Sequence, residues 1–61
     1  MHGWTPLYMA AGYGHLEIVK ALVGAKASVN KATNSGRTPL ENAIDNDQTS
    51  VIEYLKSVGA R

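Results

Sequence analysis

The chain has 61 residues, a formal net charge of +1 and 44% hydrophobic residues, and it contains no cysteine. This length accommodates one small domain, and a chain without cysteine has neither a disulfide nor a thiolate–metal site to stabilise it. No apolar run approaches the roughly 18 residues of a membrane span, and the N-terminus lacks the basic-then-apolar order of a signal peptide, so we expect an intracellular protein, cytoplasmic or nuclear, that does not bind membranes.

A triplet that recurs at a fixed interval organises the sequence. Thr5-Pro6-Leu7 returns as Thr38-Pro39-Leu40, and the interval from Thr5 to Thr38 is here called the repeat period. When residues 1–28 are aligned with residues 34–61, seven of the 28 positions are identical, and they are the turn, cap and apolar positions that a structural repeat must share. The sequence therefore predicts one unit of two stacked repeats, repeat one at about 1–32 and repeat two at about 33–61.

Repeat one is predicted to form two helices. Thr5 can accept a hydrogen bond from an N–H of the first turn, and Pro6 needs no such bond, so a short helix begins at Pro6. It ends in the Gly12 to Gly14 segment, where glycine allows positive φ. A second helix with one apolar stripe follows, because apolar residues then recur with helical spacing at Leu16, Ile18, Val19, Leu22 and Val23.

A turn-rich segment separates these helices from a second pair. Residues 25–37 are rich in turn-forming types and hold Val29 as their only large apolar residue, which favours a projecting turn, here called the finger. We expect the third helix at about 39–46 and the fourth at about 50–57.

Three sequence signals mark the ends of the second helix pair. Thr38 with Glu41 fits a capping box, in which the glutamate reaches back to the N-cap N–H, and Ser50 with Glu53 fits the same pattern. Gly59 stands where a helix C-cap is expected.

The residues that carry the repeat resemble a known family. Residues 3–23, GWTPLYMAAGYGHLEIVKALV, followed by ASVN at 27–30, resemble an ankyrin repeat. The resemblance covers essentially the whole chain and implies an all-α fold, a short solenoid fragment in which each repeat is a helix-loop-helix with a β-turn finger. It implies a non-catalytic role in binding another protein, without specifying which.

Two departures from the family pattern bear on the structure. The histidine that usually follows the TPL triplet is Tyr8 in repeat one and Glu41 in repeat two, so the hydrogen bonds which that histidine makes between ankyrin repeats are not expected here. The glycine usual at the end of the second helix is Lys26, which must then take positive φ at a cost of about 1 kcal/mol or reshape the loop.

The resemblance also implies which residues contact a partner, because ankyrin repeats bind through finger tips and through the solvent side of the first helix of each pair. The corresponding residues are His2, Trp4, Tyr8, Gly12, Tyr13, Asn34, Ser35, Arg37, Glu41, Asp45 and Asn46. We expect Trp4, Tyr13 and Arg37 to contribute most, because exposed residues of these types anchor interfaces. The alternative is that Trp4 packs over its own finger and Tyr13 lies along its helix.

Repeat two differs from repeat one in a directed way. Three apolar positions become polar in the pairs Met9/Asn42, Leu16/Thr49 and Val23/Lys56. Each repeat of a stack buries a face on each neighbour, so a polar outer face indicates the end of the stack. We therefore expect repeat two to be a C-terminal cap with Asn42 and Lys56 pointing to water, and the N-terminal side of repeat one to expose apolar residues such as Met9 and Leu16.

Two functions follow from this arrangement. The first is a protein-interaction module at the C-terminal end of a longer ankyrin array. The alternative is a structural fragment that self-associates through the exposed N-terminal face of repeat one.

Other chemistries lack the residues they need. Residues 1–37 carry a charge of +3 and residues 38–61 a charge of −2, with no clustered basic stripe for nucleic acid. The acidic residues Glu41, Asp45 and Asp47 fit a solvated surface, with a site for a basic ligand as the alternative. His2 and His15 have no zinc partner at i+3 or i+4, so we expect no metal, no cofactor and no enzyme activity.

Overall fold

The computed structural model describes residues 3–60, and these form two helix pairs. The helices are α1 (Pro6–Tyr13), α2 (Leu16–Gly24), α3 (Pro39–Asp45) and α4 (Thr49–Ser57). Helix α1 packs extensively against both α2 and α3, and α3 also packs against α4, whereas α2 and α4 make few contacts. No strand occurs within residues 3–60, which confirms the expected all-α repeat architecture.

The threonine–proline pairs begin α1 and α3 as predicted. Thr5 Oγ1 accepts a hydrogen bond from the Tyr8 N–H at 3.0 Å. Thr38 Oγ1 accepts from the Glu41 N–H at 3.3 Å, and Glu41 Oε1 accepts from the Thr38 N–H at 2.9 Å, which completes the predicted capping box. These bonds satisfy N–H groups that a helix start otherwise leaves unpaired.

The predicted capping box at Ser50 and Glu53 is wrong. Helix α4 begins at Thr49, one residue earlier than expected, so Ser50 lies inside the first turn. Its N-cap is Gln48, which makes no side-chain cap bond and instead donates to a carbonyl of repeat one. At the other end Val58 is the C-cap, and Gly59, the next residue, has a left-handed φ of 87°.

Left-handed residues recur at the repeat period. Gly14 has φ 76°, and Asp47, one repeat period later, has φ 56°. Lys26 has φ 68°, and Gly59, again one repeat period later, has φ 87°. The two repeats therefore turn at the same places even where glycine is replaced, and Lys26 takes the positive φ that was one of its two expected outcomes.

The core lies between the helix pairs and is made of small and branched apolar side chains. Its buried members are Leu7, Ala10, Ala11, Val19, Leu40, Ala43, Val51 and Leu55. The alanines allow α1 and α3 to approach their neighbours closely. In the finger, buried Thr33 shares a hydrogen bond of 3.0 Å with Ser35 Oγ and accepts one from the Arg37 N–H at 3.3 Å.

Each repeat has two faces, and equivalent positions reveal them. The upstream face contains the positions at which repeat two contacts repeat one. Val51 is 1% exposed there, whereas its counterpart Ile18 in repeat one is 50% exposed. The downstream face contains the positions at which repeat one contacts repeat two. The expected apolar N-terminal side is the upstream face of repeat one. Met9 is exposed as expected, whereas Leu16 is half-buried and packs against the core, so the expectation that Leu16 is exposed is wrong.

The structure corrects the expectation that Asn42 points to water. Asn42 is half-buried on the upstream face of repeat two, and its Nδ2 donates to the Tyr8 carbonyl oxygen at 2.9 Å. Gln48 Nε2 likewise donates to the Gly12 carbonyl oxygen at 3.1 Å. Polar residues at these positions join the repeats. By contrast, Thr49 and Lys56 are exposed.

Candidate functional site

A shallow groove of about 160 Å³ lies beside α1, between the two repeats. It is lined by Trp4, Tyr8, Met9, Gly12, Tyr13, Asn42 and Asn46. On the α1 side, Trp4, Tyr8 and Gly12 are spaced four apart, and so are Met9 and Tyr13, so the residues form two adjacent rows along the helix. Helix α3 supplies Asn42, and Asn46 follows at its C-cap.

Aromatic rings form one wall of the groove. The Trp4 ring centroid lies 5.9 Å from that of Tyr8, with 31° between the ring planes. Tyr8 is 7% exposed and is therefore a fixed support, while Trp4 is 50% exposed. Tyr13 is 71% exposed, and its ring centroid lies 6.1 Å from that of His15. Such rings offer a large contact area at a low cost in conformational entropy.

Two asparagine amides form the other wall. Asn46 Nδ2 donates to the carbonyl oxygen of Asn42 at 2.8 Å and to its Oδ1 at 3.1 Å. Asn42 Nδ2 in turn donates to the Tyr8 carbonyl oxygen. These bonds hold both side chains in place. Within residues 3–60 no hydrogen bond is donated to Asn46 Oδ1, so this exposed oxygen can accept one from a bound molecule.

The equivalent surface of repeat two is charged. Arg37, the counterpart of Trp4, forms an ion pair with Asp45, and its guanidinium donates to the Glu41 carbonyl oxygen at 3.4 Å. Both side chains of the ion pair are partly exposed, so it contributes at most about 1 kcal/mol to stability. The surface formed by the first helices is thus aromatic on repeat one and charged on repeat two.

The groove brings together part of the predicted site. Of the predicted residues, it is lined by Trp4, Tyr8, Gly12, Tyr13 and Asn46. The finger residues Asn34 and Ser35 and the charged residues Arg37, Glu41 and Asp45 do not line it. His2 lies outside the described residues.

The resemblance implied that Tyr8 and Gly12 lie on the solvent side of α1, and this is wrong. Both residues are buried where α3 packs against α1. Trp4 packs against Tyr8 of α1, and residues 1–2, which begin its own finger, lie outside the described residues.

Sequence reasoning missed Met9 and Asn42 as groove residues. Met9 lies four residues before Tyr13 on α1, and this spacing alone could have placed both on one helix face. Asn42 carried no such signal, because its contact crosses between repeats and depends on how α1 and α3 pack.

The described residues place limits on other chemistries. Within residues 3–60 no group of three or more His, Asp or Glu side chains is arranged to hold a metal ion. Across the same range no helix is both long and apolar enough to cross a bilayer.

Two helix pairs stacked at a fixed period, with a finger between them, define a helical-repeat protein of the solenoid class. The family model for ankyrin repeats (3 copies) matches residues 1–61, and the chain belongs to the ankyrin-repeat family. Ankyrin repeats in general are protein–protein interaction modules.

Relatives are consistent with this assignment. The chain is 40% identical over 60 residues to the probable 26S proteasome regulatory subunit p28 of Saccharomyces cerevisiae, an alignment that covers 95% of this chain and 26% of that protein. It is 44% identical over 59 residues to the BRCA1-associated RING domain protein 1 of Caenorhabditis elegans, covering 95% of this chain and 8% of that protein. For Rabankyrin-5 of Mus musculus the identity is 42% over 55 residues, with 90% and 5% covered. The chain thus spans only about a quarter or less of the length of each of these relatives.

Proposed function

We propose that this chain binds a segment of another protein in the groove beside α1 and that it forms the C-terminal end of a longer ankyrin array. The observation that carries the first part is the aromatic wall. Trp4 and Tyr13 expose half or more of their surface, and the Trp4 ring packs against that of the buried Tyr8. Preorganised, exposed Trp and Tyr are the residue types that anchor protein interfaces.

The size and polarity of the groove favour a protein segment over a small metabolite. Its volume of about 160 Å³ is below the several hundred Å³ of most small-molecule pockets. Among residues 3–60, no charged side chain lines it. A large apolar side chain against Trp4, Met9 and Tyr13, with a neighbouring backbone N–H donated to Asn46 Oδ1, matches this lining without burying a charge.

Selection from a random-peptide library tests this proposal without knowledge of the natural partner. Peptides are selected on the 61-residue chain and their affinities measured for Trp4→Ala, Tyr13→Ala and the control Ile44→Ala. Ile44 is also apolar and about half exposed, but it does not line the groove. We expect at least one groove substitution to weaken binding about fivefold or more, which corresponds to about 1 kcal/mol. Unchanged affinity in both groove variants, with unchanged circular dichroism, rejects the groove.

Support for a position at the end of an array comes from the polar surface of repeat two. Thr49 and Lys56 replace the apolar Leu16 and Val23 of repeat one and are exposed, whereas Leu16 and Val23 are half-buried against the core. A terminal repeat needs such a solvated side.

Self-association is the second candidate, and the exposure of Ile18 favours it. Ile18 is 50% exposed at a position whose counterpart in repeat two, Val51, is covered. A further repeat or a second copy of the chain could cover this face. Sedimentation over a range of concentrations separates the two: Ile18→Lys abolishes any dimer formed through this face, whereas a wild-type chain that stays monomeric removes this candidate.

A further inference from the structure

The downstream face of repeat two differs from that of repeat one at the positions where stacking occurs. Helix α1 and the turn after it present Ala11, Gly12 and Gly14 to repeat two. The counterparts one period later are Ile44, Asp45 and Asp47. Each replacement adds side-chain volume to the face that would receive another repeat.

Geometry at the existing interface shows what that added volume would do. A Cβ atom placed on Gly12 would lie 2.7 Å from Asn42 Cγ, and one placed on Gly14 would lie 2.6 Å from Gln48 Cδ. Both distances are far inside van der Waals contact. These close contacts are with side-chain ends, and moving the Asn42 and Gln48 amides aside would disturb the hydrogen bonds that they donate to the carbonyls of Tyr8 and Gly12.

The position next to Gly12, occupied by Ala11 in repeat one and Ile44 in repeat two, also gains volume in repeat two. Ala11, next to Gly12 on α1, is 0% exposed, whereas its counterpart Ile44 is 47% exposed. If a further repeat packed on repeat two as closely as repeat two packs on repeat one, an isoleucine in place of the alanine would overfill the interface. The negative charges of Asp45 and Asp47 would in addition lose hydration on burial.

We propose that the side chains of Ile44, Asp45 and Asp47 form a steric block that prevents a further repeat of this type from stacking on repeat two. This inference deepens the proposed function and rests on its second part, the position at the end of an array. The block also rejects the upstream face of a second copy, so copies of this chain do not polymerise head to tail. Self-association through the upstream face is then a closed pair that joins two such faces.

A tandem chain tests the block. A second copy of residues 29–61 is added directly after Arg61, which preserves the repeat period and supplies another Asn42 and Gln48 at the matching places. Three versions are compared: the wild-type tandem, a tandem with Ile44→Ala, Asp45→Gly and Asp47→Gly in the first copy, and a tandem with Asp45→Asn and Asp47→Asn there. The same substitutions in the 61-residue chain correct for local effects such as relief of the left-handed strain at Asp47.

Cooperative unfolding in urea gives the readout, because the slope m scales with the surface that unfolds as one unit. We expect m of the triple-substituted tandem to be about one and a half times that of the original chain, since three repeats unfold together instead of two. The wild-type and asparagine tandems should retain the m of the original chain. Amide hydrogen exchange provides a second readout: the appended copies of Leu40 and Ala43 gain protection only in the triple-substituted tandem.

Three results overturn the block. One is a wild-type tandem that already unfolds as a larger unit, another is a triple-substituted tandem that does not, and the third is an asparagine tandem that stacks, since this would assign the effect to charge rather than to volume. None of these results affects peptide binding by the groove, so failure of the block and failure of the groove are distinguishable.

Discussion

Gly12 offers a direct test of how closely the repeats pack. In Gly12→Ala the new methyl group meets the Asn42 side chain, whose Cγ would lie 2.7 Å away. Displacement of Asn42 removes its hydrogen bond to the Tyr8 carbonyl, a loss of about 1 kcal/mol. Overfilling adds about 1–3 kcal/mol, and the better helix propensity of alanine returns about 1 kcal/mol. The net expectation is a loss of about 2 kcal/mol in the free energy of unfolding.

Gly24 provides the matched control, because it is also a helical glycine and no atom lies within 4 Å of a Cβ placed there. Gly24→Ala should be neutral or stabilising by up to about 1 kcal/mol. Both variants are measured by urea unfolding at two protein concentrations. In an Asn42→Ala background the penalty of Gly12→Ala should disappear, as expected for a contact pair. Equal stabilities for Gly12→Ala and Gly24→Ala would refute the packing argument.

Three further predictions concern single residues. Lys26→Gly should raise the free energy of unfolding by about 1 kcal/mol, because φ at Lys26 is 68° and glycine adopts positive φ without strain. Lys31→Gly, at an exposed finger position without positive φ, is the control and should give no such increase. A thermal melt in which both variants behave alike contradicts the strain at Lys26. Thr38→Ala should lower the free energy of unfolding by about 1 kcal/mol, because it removes the capping box of α3. Ser50→Ala should lower it by less than about 0.5 kcal/mol, because Ser50 caps no helix. Chemical denaturation compares the two variants, and an equal loss would show that Ser50 does cap α4. Lys56→Leu should change stability by less than about 0.5 kcal/mol while increasing aggregation, because Lys56 is exposed, and a loss of several kcal/mol would show that this surface is buried.

The helices could be predicted from the sequence because their signals are local. Thr5 and Thr38 cap the helix starts within a few residues, and the repeat period places the second pair once the first is known. The capping box predicted at Ser50 rested on an equally local pattern and was wrong. Helix α4 begins one residue earlier than predicted, and its N-cap residue Gln48 donates to a carbonyl of repeat one. Local pattern does not show which neighbour a side chain meets.

The groove was only half predictable for the same reason. Trp4 and Tyr13 follow from the position of α1 and from their residue types. Tyr8 and Asn42 depend on the packing of α1 against α3, which buries the tyrosine and turns the asparagine toward its carbonyl. From the sequence alone, the polar Asn42 at the position of the apolar Met9 predicts a side chain exposed to solvent. The structure instead places Asn42 at a contact between the repeats.

Size bears on every measurement of this chain. A stack usually needs about three repeats, and a core this small rarely supplies more than about 3–5 kcal/mol. With Ile18 and Met9 uncovered, we expect the isolated chain to be marginally stable or self-associated, and we expect added upstream repeats to stabilise it cooperatively. A sharp unfolding transition that does not depend on concentration, with a midpoint typical of larger domains, contradicts this expectation.

Chemical-shift mapping with a library-selected peptide tests the central claim most directly. The amides of Met9, Tyr13 and Asn46 and the indole N–H of Trp4 should shift together as peptide is added, because these groups surround one groove. Amides on the outer helices α2 and α4, such as that of Glu53, should stay in place. Shifts confined to α2 and α4, or to the finger, would contradict a binding site between α1 and α3.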